Sequence, residues 1–400
     1  MRYVSTRGEA RSVDFEGALF SGYAPDGGLF MPQEIPTLDY NTLRTWSAFS
    51  YPELVKELSS LFISSELIPR KELNDLIDRA FRKFRHKNVV HLARLKNGLN
   101  VLELWHGVTY AFKDLSLSCT GQFLQYFLKK RKKHITILVG TSGDTGSSAI
   151  ESVRGENNMD IFVLLPKDLC SQIQELQMTT VIEENVHVFT AGYIAQKMGL
   201  PIQLVAVVNN NDIMHRAIQH GDFSFSGSVK PTLASAMDIQ EPYNMERILW
   251  LLSDCDGSLI KTLMEQFYMS KNLTLPEELH RKLSEVLSSC SASDEDIVQA
   301  MRRCWEDNRY LLCPHSAVAV HYHYKQLDCH LSNRPRCCLA PASAAKFPDA
   351  VLRAKLVPEV PPEIQALNAM ETRSTTLRKE DDWAKTLRDR IEAITKRRHT

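Results

Sequence analysis

Apolar residues recur at three- and four-residue intervals from Tyr51 to Phe84 (Leu54, Val55, Leu58, Leu61, Phe62), and Pro69 interrupts the series, which predicts two helices. Between residues 100 and 208 the spacing changes. Short β-rich runs at 101–104, 135–139, 161–165, 186–189 and 202–208 alternate with helical stretches. Runs of this length, apolar and flanked by turn residues or helical spacing, suit strands of a parallel sheet with helices on both faces. The predicted class is therefore α/β, and ligands in such sheets collect at the carboxyl ends of strands. Ahead of this region, 24–32 (APDGGLFMP) combines proline with paired glycine in a tight loop. Beyond Pro231 helices are predicted over 241–252, 293–306 and 315–325, followed by a strand over 336–340. The tail after Val360 is charged, and its Trp383, Leu387, Ile391 and Ile394 fall on one helical stripe, as for a docked or frayed terminal helix or one that binds a partner.

Composition narrows the function classes. With 400 residues there is room for two or three domains and an interdomain cleft. The 48 Lys plus Arg balance the 48 Asp plus Glu, so overall charge gives no sign of a nucleic-acid or membrane-surface partner, and a small molecule is expected. The basic run Lys129-Lys130-Arg131-Lys132-Lys133 is placed at a helix C-terminus, where cations complement the dipole. No apolar run reaches the roughly 18 residues of a membrane span, and the N-terminal stretch has no apolar core, which predicts a cytoplasmic protein. The nine cysteines are odd in number, scattered and without a C-x-x-C pair, so neither a disulfide framework nor a zinc site is expected. Glycine is scarce, 17 residues in 400, against a usual share of about 7%.

Two predicted strand-to-helix junctions carry candidate chemistry. In the first, 104–114 (LWHGVTYAFKD), Lys113 follows a turn and sits beside Phe112 at a helix start. The positive end of a helix dipole and an apolar neighbour disfavour the ammonium, leaving the free amine that forms a Schiff base with an aldehyde. A solvated lysine in a first helical turn is the reading that this segment by itself favours. The second junction, 140–148 (GTSGDTGSS), follows the strand at 135–139 directly. Its glycines, clustered hydroxyls and free N–H groups form a nest for a carboxylate or phosphate.

These motifs resemble those of the threonine synthase family. HGVTYAFKD resembles that family's lysine motif and GTSGDTGSSA its second loop. YVSTRG with GYAPDGGLFMP resembles its N-terminal signature, and PTLASAMDIQEPYNMERIL, from Pro231, matches as well. The resemblance spans nearly the whole chain. It implies a fold type II pyridoxal-phosphate enzyme, α/β with parallel sheets and flanking helices in two lobes. Lys113 would carry the cofactor aldehyde and, once displaced by the substrate amine, move protons at the substrate's α and β carbons. Thr141, Ser142, Asp144 and Thr145 would hold the substrate carboxylate and the ring's 3′-oxygen, with Asp144 facing that oxygen. Phe112 would pack beside the cofactor or in the core.

Three departures modify the expectation. The family pattern DPHTAVG reads CPHSAVA from Cys313, and STAHPAKF reads APASAAKF from Ala340. The hydroxyl that the second pattern supplies near the pyridine nitrogen cannot come from Pro341, which leaves Ser343. This shifts the expectation from threonine formation toward elimination, a phospho-lyase acting on O-phospho-threonine-type substrates and releasing phosphate, ammonia and a 2-keto acid. Threonine synthase activity proper is the alternative. The third departure lies after Ala191, where the chain passes straight to Gly192; in the family roughly 80 residues intervene, about six elements at ordinary lengths. The glycine-rich loop for the cofactor phosphate falls in that interval. The resemblance thus implies an internally deleted form with one lobe incomplete, impaired as an enzyme or serving as a non-catalytic binding or signalling protein. The expected segments are 1–95, an N-terminal part; 96–191, the lobe with the lysine and the anion loop; 192–355, a truncated second lobe; and 356–400, the tail. A homodimer is an open expectation.

Overall fold

The computed structural model describes residues 1–398 apart from 142, 157, 166–170, 180–187, 331–333, 373 and 379; the side chains of 188–192 and 398 are likewise outside it. Four small sheets are distributed along the chain. β1 (Tyr3–Ser5) pairs antiparallel with β2 (Phe30–Pro32). β3 (His91–Arg94) runs antiparallel to β4 (Leu99–Glu103), and β4 runs parallel to β9 (Arg336–Ala340). β5 (Ile135–Gly140) with β6 (Met159–Leu164), and β7 (Leu204–Val208) with β8 (Leu287–Ser291), are parallel pairs. Helices pack on these sheets as the α/β pattern requires. The pair around Pro69 is Tyr51–Phe62 and Arg70–Phe81, with the proline as the N-cap of the second.

The strand expected over 186–189 is not formed at its described end. Val188 opens the helix Val188–Lys197, and 186–187 lie outside the described residues. A four-residue strand is stable only when paired, whereas adding a turn to an existing helix costs little. The helical spacing of Tyr193, Ile194 and Lys197 therefore decides the conformation of the residues just before it. β3, β8 and the β1–β2 pair lack a long apolar run and were not expected.

The largest core lies between β4, β9 and the helices Asp294–Asn308 and Pro314–Asp328. It is filled by Leu99, Val101, Ile297, Met301, Val318 and Val320. A second core gathers Ile248, Leu249, Ile260, Phe267 and Leu283 around β7 and β8. The N-terminal segment is bound to this second core by a buried ion pair: Arg7 donates from Nε and Nη2 to Glu246 at 3.1 and 3.0 Å, and Thr6 donates to Glu246 Oε1 at 2.6 Å. A third core joins Leu73, Ile77 and Phe81 to Phe123 and Phe127 on the helix Lys113–Arg131. The basic run begins in the last turn of that helix, and Lys132 caps it in the left-handed region. Among the described residues no helix is long and apolar enough to cross a membrane.

The helix Pro314–Asp328 carries two enclosed histidines, His315 and His323, each pushed down to about 4 by burial with nearby cations adding to the effect. Unfolded chains bind these protons near pH 6.5. Between about pH 6.5 and 4 the unfolded state therefore holds more protons, and stability falls on acidification through that window. Among the described residues neither ring nitrogen of His323 has a partner, so leucine removes the proton uptake without losing a bond. His323→Leu is expected to narrow the difference in melting temperature between pH 7.5 and pH 5 by roughly 2–4 °C, measured by calorimetry at both pH values.

Candidate active site

β4 and β9 lie side by side and parallel, in register from Leu99 opposite Arg336 to Glu103 opposite Ala340. Both chains therefore leave the sheet at the same edge, and their loops continue the pairing: Phe112 N donates to Pro341 O at 2.6 Å, Ser343 N donates to Tyr110 O at 3.1 Å, and Ala111 bridges Ala342. The lysine loop is held in shape by its own helix. Asp114 accepts from Thr109 N and Thr109 Oγ1, both at 2.8 Å, and lies so close to Gly107 that a Cβ there would meet its Oδ2 at 2.2 Å. From the other side Arg85 donates to the carbonyls of Gly107 and Val108 at 2.9 and 3.0 Å. Tyr110 takes a left-handed backbone, φ 58°, to complete the turn, and the helix starts at Lys113.

The second loop leaves β5 at Gly140 and opens the helix Asp144–Val153. Thr141 N donates to Leu164 O on the neighbouring strand at 2.9 Å, and Gly143 N donates to Thr141 Oγ1 at 3.1 Å. The first turns of this helix, through Ser148, are buried against the lysine helix. The two helices touch where Gly121 faces the Ser152 carbonyl, which would be 2.3 Å from a Cβ. Among the described residues two hydroxyl bridges cross between the loops. Lys113 Nζ donates to Thr145 Oγ1, and the Thr109 and Ser148 hydroxyls are 2.8 Å apart.

The expected site residues are thus placed as follows. Lys113, Thr145 and Asp144 come together at one point. Phe112 lies alongside, its ring centroid 5.9 Å from Lys113 Nζ. Thr141 braces the turn that precedes Asp144. Ser343 stands in the loop paired with the lysine loop, its hydroxyl accepting from Ala345 N at 3.3 Å. Ser142 lies outside the described residues.

Several site residues were not singled out from the sequence. Lys346, fully enclosed, reaches Asp144 Oδ1 at 2.6 Å and the Thr109 carbonyl at 2.8 Å. Gln174 donates to the same carboxylate oxygen at 2.7 Å, and Gln177 donates to the Thr109 carbonyl at 3.2 Å. Burial alone would raise Asp144, but Lys346 first, then Lys113, and the bonds from Lys346 and Gln174 hold it below the usual carboxylate range. Asp114 goes the other way, pushed up by burial despite Ser148, Thr109 and Lys346. His315 accepts from Ala236 N at 3.1 Å through Nε2, which fixes the proton of the neutral ring on Nδ1, and that atom is enclosed without a partner among the described residues. Its ring lies 4.7 Å from that of Phe347. The AKF that APASAAKF shares with the family pattern is the sequence feature that pointed to Lys346, without giving its role.

An α/β protein with its reactive groups gathered where parallel strands end is the class these features define. Residues 2–81 match the family described as threonine synthase N terminus, and residues 316–389 the family described as threonine synthase, C-terminal. Threonine synthase-like 2 of Pongo abelii is 58% identical over 474 positions, covering 99% of this chain and 98% of the relative. The crystal structure of threonine synthase from yeast superposes with a TM-score of 0.90 at 29% identity, covering 98% of each chain. A PLP-bound threonine synthase from Brucella melitensis gives 0.88 at 30% identity, covering 94% of this chain and 96% of the other. The chain belongs to the threonine synthase family, and the fold is that of its type II pyridoxal-phosphate enzymes. The 474-position alignment exceeds the 400 residues of this chain by 74, so at least that many positions of the relative have no counterpart here.

Asp114→Ala is expected to leave the Thr109 amide enclosed without its acceptor and the Thr109 hydroxyl with Ser148 alone. A loss of about 2–3 kcal/mol in urea unfolding should follow, against a conservative Thr145→Ser that stays within about 1 kcal/mol of the parent.

Proposed function

We propose that this chain is a pyridoxal-phosphate-dependent phospho-lyase that acts on O-phosphorylated amino acids of the O-phospho-threonine type. With one water consumed, it gives a 2-keto acid, ammonia and phosphate. The reading rests on one observation above all, the amine of Lys113 on the Thr145 hydroxyl beside the compensated carboxylate of Asp144. Membership of a lyase family that uses pyridoxal phosphate supports it. The residues fit the ring and aldehyde end of that cofactor. They offer an amine, the face of Phe112, the Ser343 hydroxyl for the pyridine nitrogen in place of Pro341, and the unpartnered Nδ1–H of His315.

Bound cofactor supplies the electron sink that acidifies the substrate Cα–H. Lys113 Nζ takes that proton, with Thr145 Oγ1 fixing the direction of the amine. Thr141, the amides at the start of the helix Asp144–Val153 and the hydroxyls of that turn bind the substrate carboxylate. The Cβ–O bond breaks with phosphate as the leaving group, taking the bonding electrons. Pro341 moves the hydroxyl that the family pattern has at this position to Ser343, two residues on, and this reading takes the change to favour elimination over water addition.

We place the missing positions between Ala191 and Gly192, the interval that would contain the glycine-rich phosphate loop. Each charge-assisted bond lost from the cofactor phosphate weakens binding by about tenfold or more. The chain is accordingly read as an impaired form, with a non-catalytic binding role as the second reading that the same shortfall favours.

A titration with pyridoxal phosphate, followed by absorbance and by thermal melting, tests this. The parent chain is expected to give a saturable visible band, a raised melting temperature and phosphate release from O-phospho-threonine. Lys113→Ala is expected to give neither band nor release. A flat titration of a chain that still melts cooperatively would reject the enzyme reading for this form.

A further inference from the structure

Lys346 is the fully enclosed lysine among the described residues, and its ammonium joins three loops that the chain brings together from distant positions. The lysine comes from the loop after β9, the Thr109 carbonyl from the loop after β4, and Asp144 from the loop after β5. Its own backbone is fixed, since Lys346 N donates to Ser343 O at 3.2 Å and the Lys346 carbonyl accepts from Ser171 Oγ at 2.9 Å. The charged groups that face one another here are Lys113 and Lys346 against Asp144 and Asp114, with His315 neutral between them. Lys346 and Asp144 are both buried and compensate each other directly, so removing either withdraws the other's nearest counter-charge.

We propose that Lys346 is a positioning residue of the active site. By cancelling the charge of Asp144 and tying that carboxylate to the Thr109 carbonyl, it keeps the Lys113 amine from being locked as an ammonium and holds the two loops at working distance. Without Lys346, the nearest cation to Asp144 would be Lys113 itself. The carboxylate would then stabilise the protonated, non-nucleophilic form of the residue that must react with an aldehyde. The inference rests on the reading of Lys113 as the reactive amine.

Reductive methylation of the full chain with formaldehyde and cyanoborohydride, followed at the Lys113 peptide by mass spectrometry across pH, reports the midpoint of the Lys113 amine without added cofactor. Lys346→Met is expected to raise that midpoint by about one pH unit, which is about tenfold slower labelling at a fixed pH below it. Asp144→Asn, which leaves Lys346 uncompensated, is expected to lower the midpoint by a similar amount. The double variant should return to within about threefold of the parent rate, and Lys346→Arg, which keeps the charge, should leave the midpoint in place. A merely structural lysine would not give shifts of opposite sign that cancel. Unmoved midpoints, or shifts in the same direction, in variants that keep the parent's circular dichroism would overturn the proposal. If Lys346→Met does not fold, Asp144→Asn decides, an unmoved or raised midpoint counting against it. Failure of the underlying reading looks different: Lys113 of the parent would label like an ordinary surface lysine, and pyridoxal phosphate would produce no visible band.

Discussion

The site depends on β4 and β9 lying parallel and in register. Two strands from opposite ends of the sequence can be neighbours only if both present apolar side chains to the same core, and Leu99, Val101, Cys338 and Ala340 do so against the helices Asp294–Asn308 and Pro314–Asp328. Once that pairing is made, parallel direction sends both loops out at one edge. Backbone bonds from Phe112 to Pro341 and from Ser343 to Tyr110 then extend the sheet's order into segments that are not strands. A one-residue slip would turn every side chain of β9 to the other face, so the register that fills the core is also the register that sets Ser343 and Lys346 against the lysine loop.

Polar groups complete what the apolar core begins. An enclosed ion pair such as Lys346 with Asp144 contributes little net stability, because both ions lose water that their attraction only partly replaces. Its value lies in selecting one arrangement. The carboxylate has Lys346 and Gln174 on one oxygen, and the Thr109 carbonyl has Lys346 and Gln177, so moving either loop leaves several donors unmatched at once. Asp114 does the same for the lysine loop from within, with Gly107 required by the closeness of its carboxylate.

The parts of the fold and site visible in the sequence were those with a local cause. β5, β6, β7 and β9 have compact apolar runs, and the helices around Pro69 have clear spacing and a proline at the break. The glycine-rich turn before Asp144 and the lysine at a helix start are likewise local patterns. β3 and β8 were hidden because HLAR and LSSCS carry too little apolar character to stand out, and they become strands through pairing with β4 and β7. At 188–189, the described end of the strand expected over 186–189, the converse holds, a strand-like pattern taken into the helix that follows. Lys346, Gln174 and Gln177 could not be found by spacing, because their roles arise from contacts between loops that only the tertiary fold brings together.

The support beneath the two reactive loops is unequal. The lysine loop rests on the large core under β4 and β9. The second loop rests on the β5–β6 pair, whose apolar cluster encloses Leu128, Val153 and Met159, with Val139 also enclosed on β5, Ile135, Ile137 and Ile161 only partly covered and Leu138 exposed. The position of Thr141 to Thr145 is therefore set less by its own sheet than by what it touches across the gap: Lys113 on Thr145, Thr109 on Ser148, Lys346 on Asp144, and the glycine contact at Gly121. The first three end on groups in or next to the loops after β4 and β9, and the last on the lysine helix, which packs in the third core. The loop that would bind the substrate carboxylate thus takes its geometry from the loop that carries the amine, and the distance between the two is fixed by direct bonds, not by the sheets behind them.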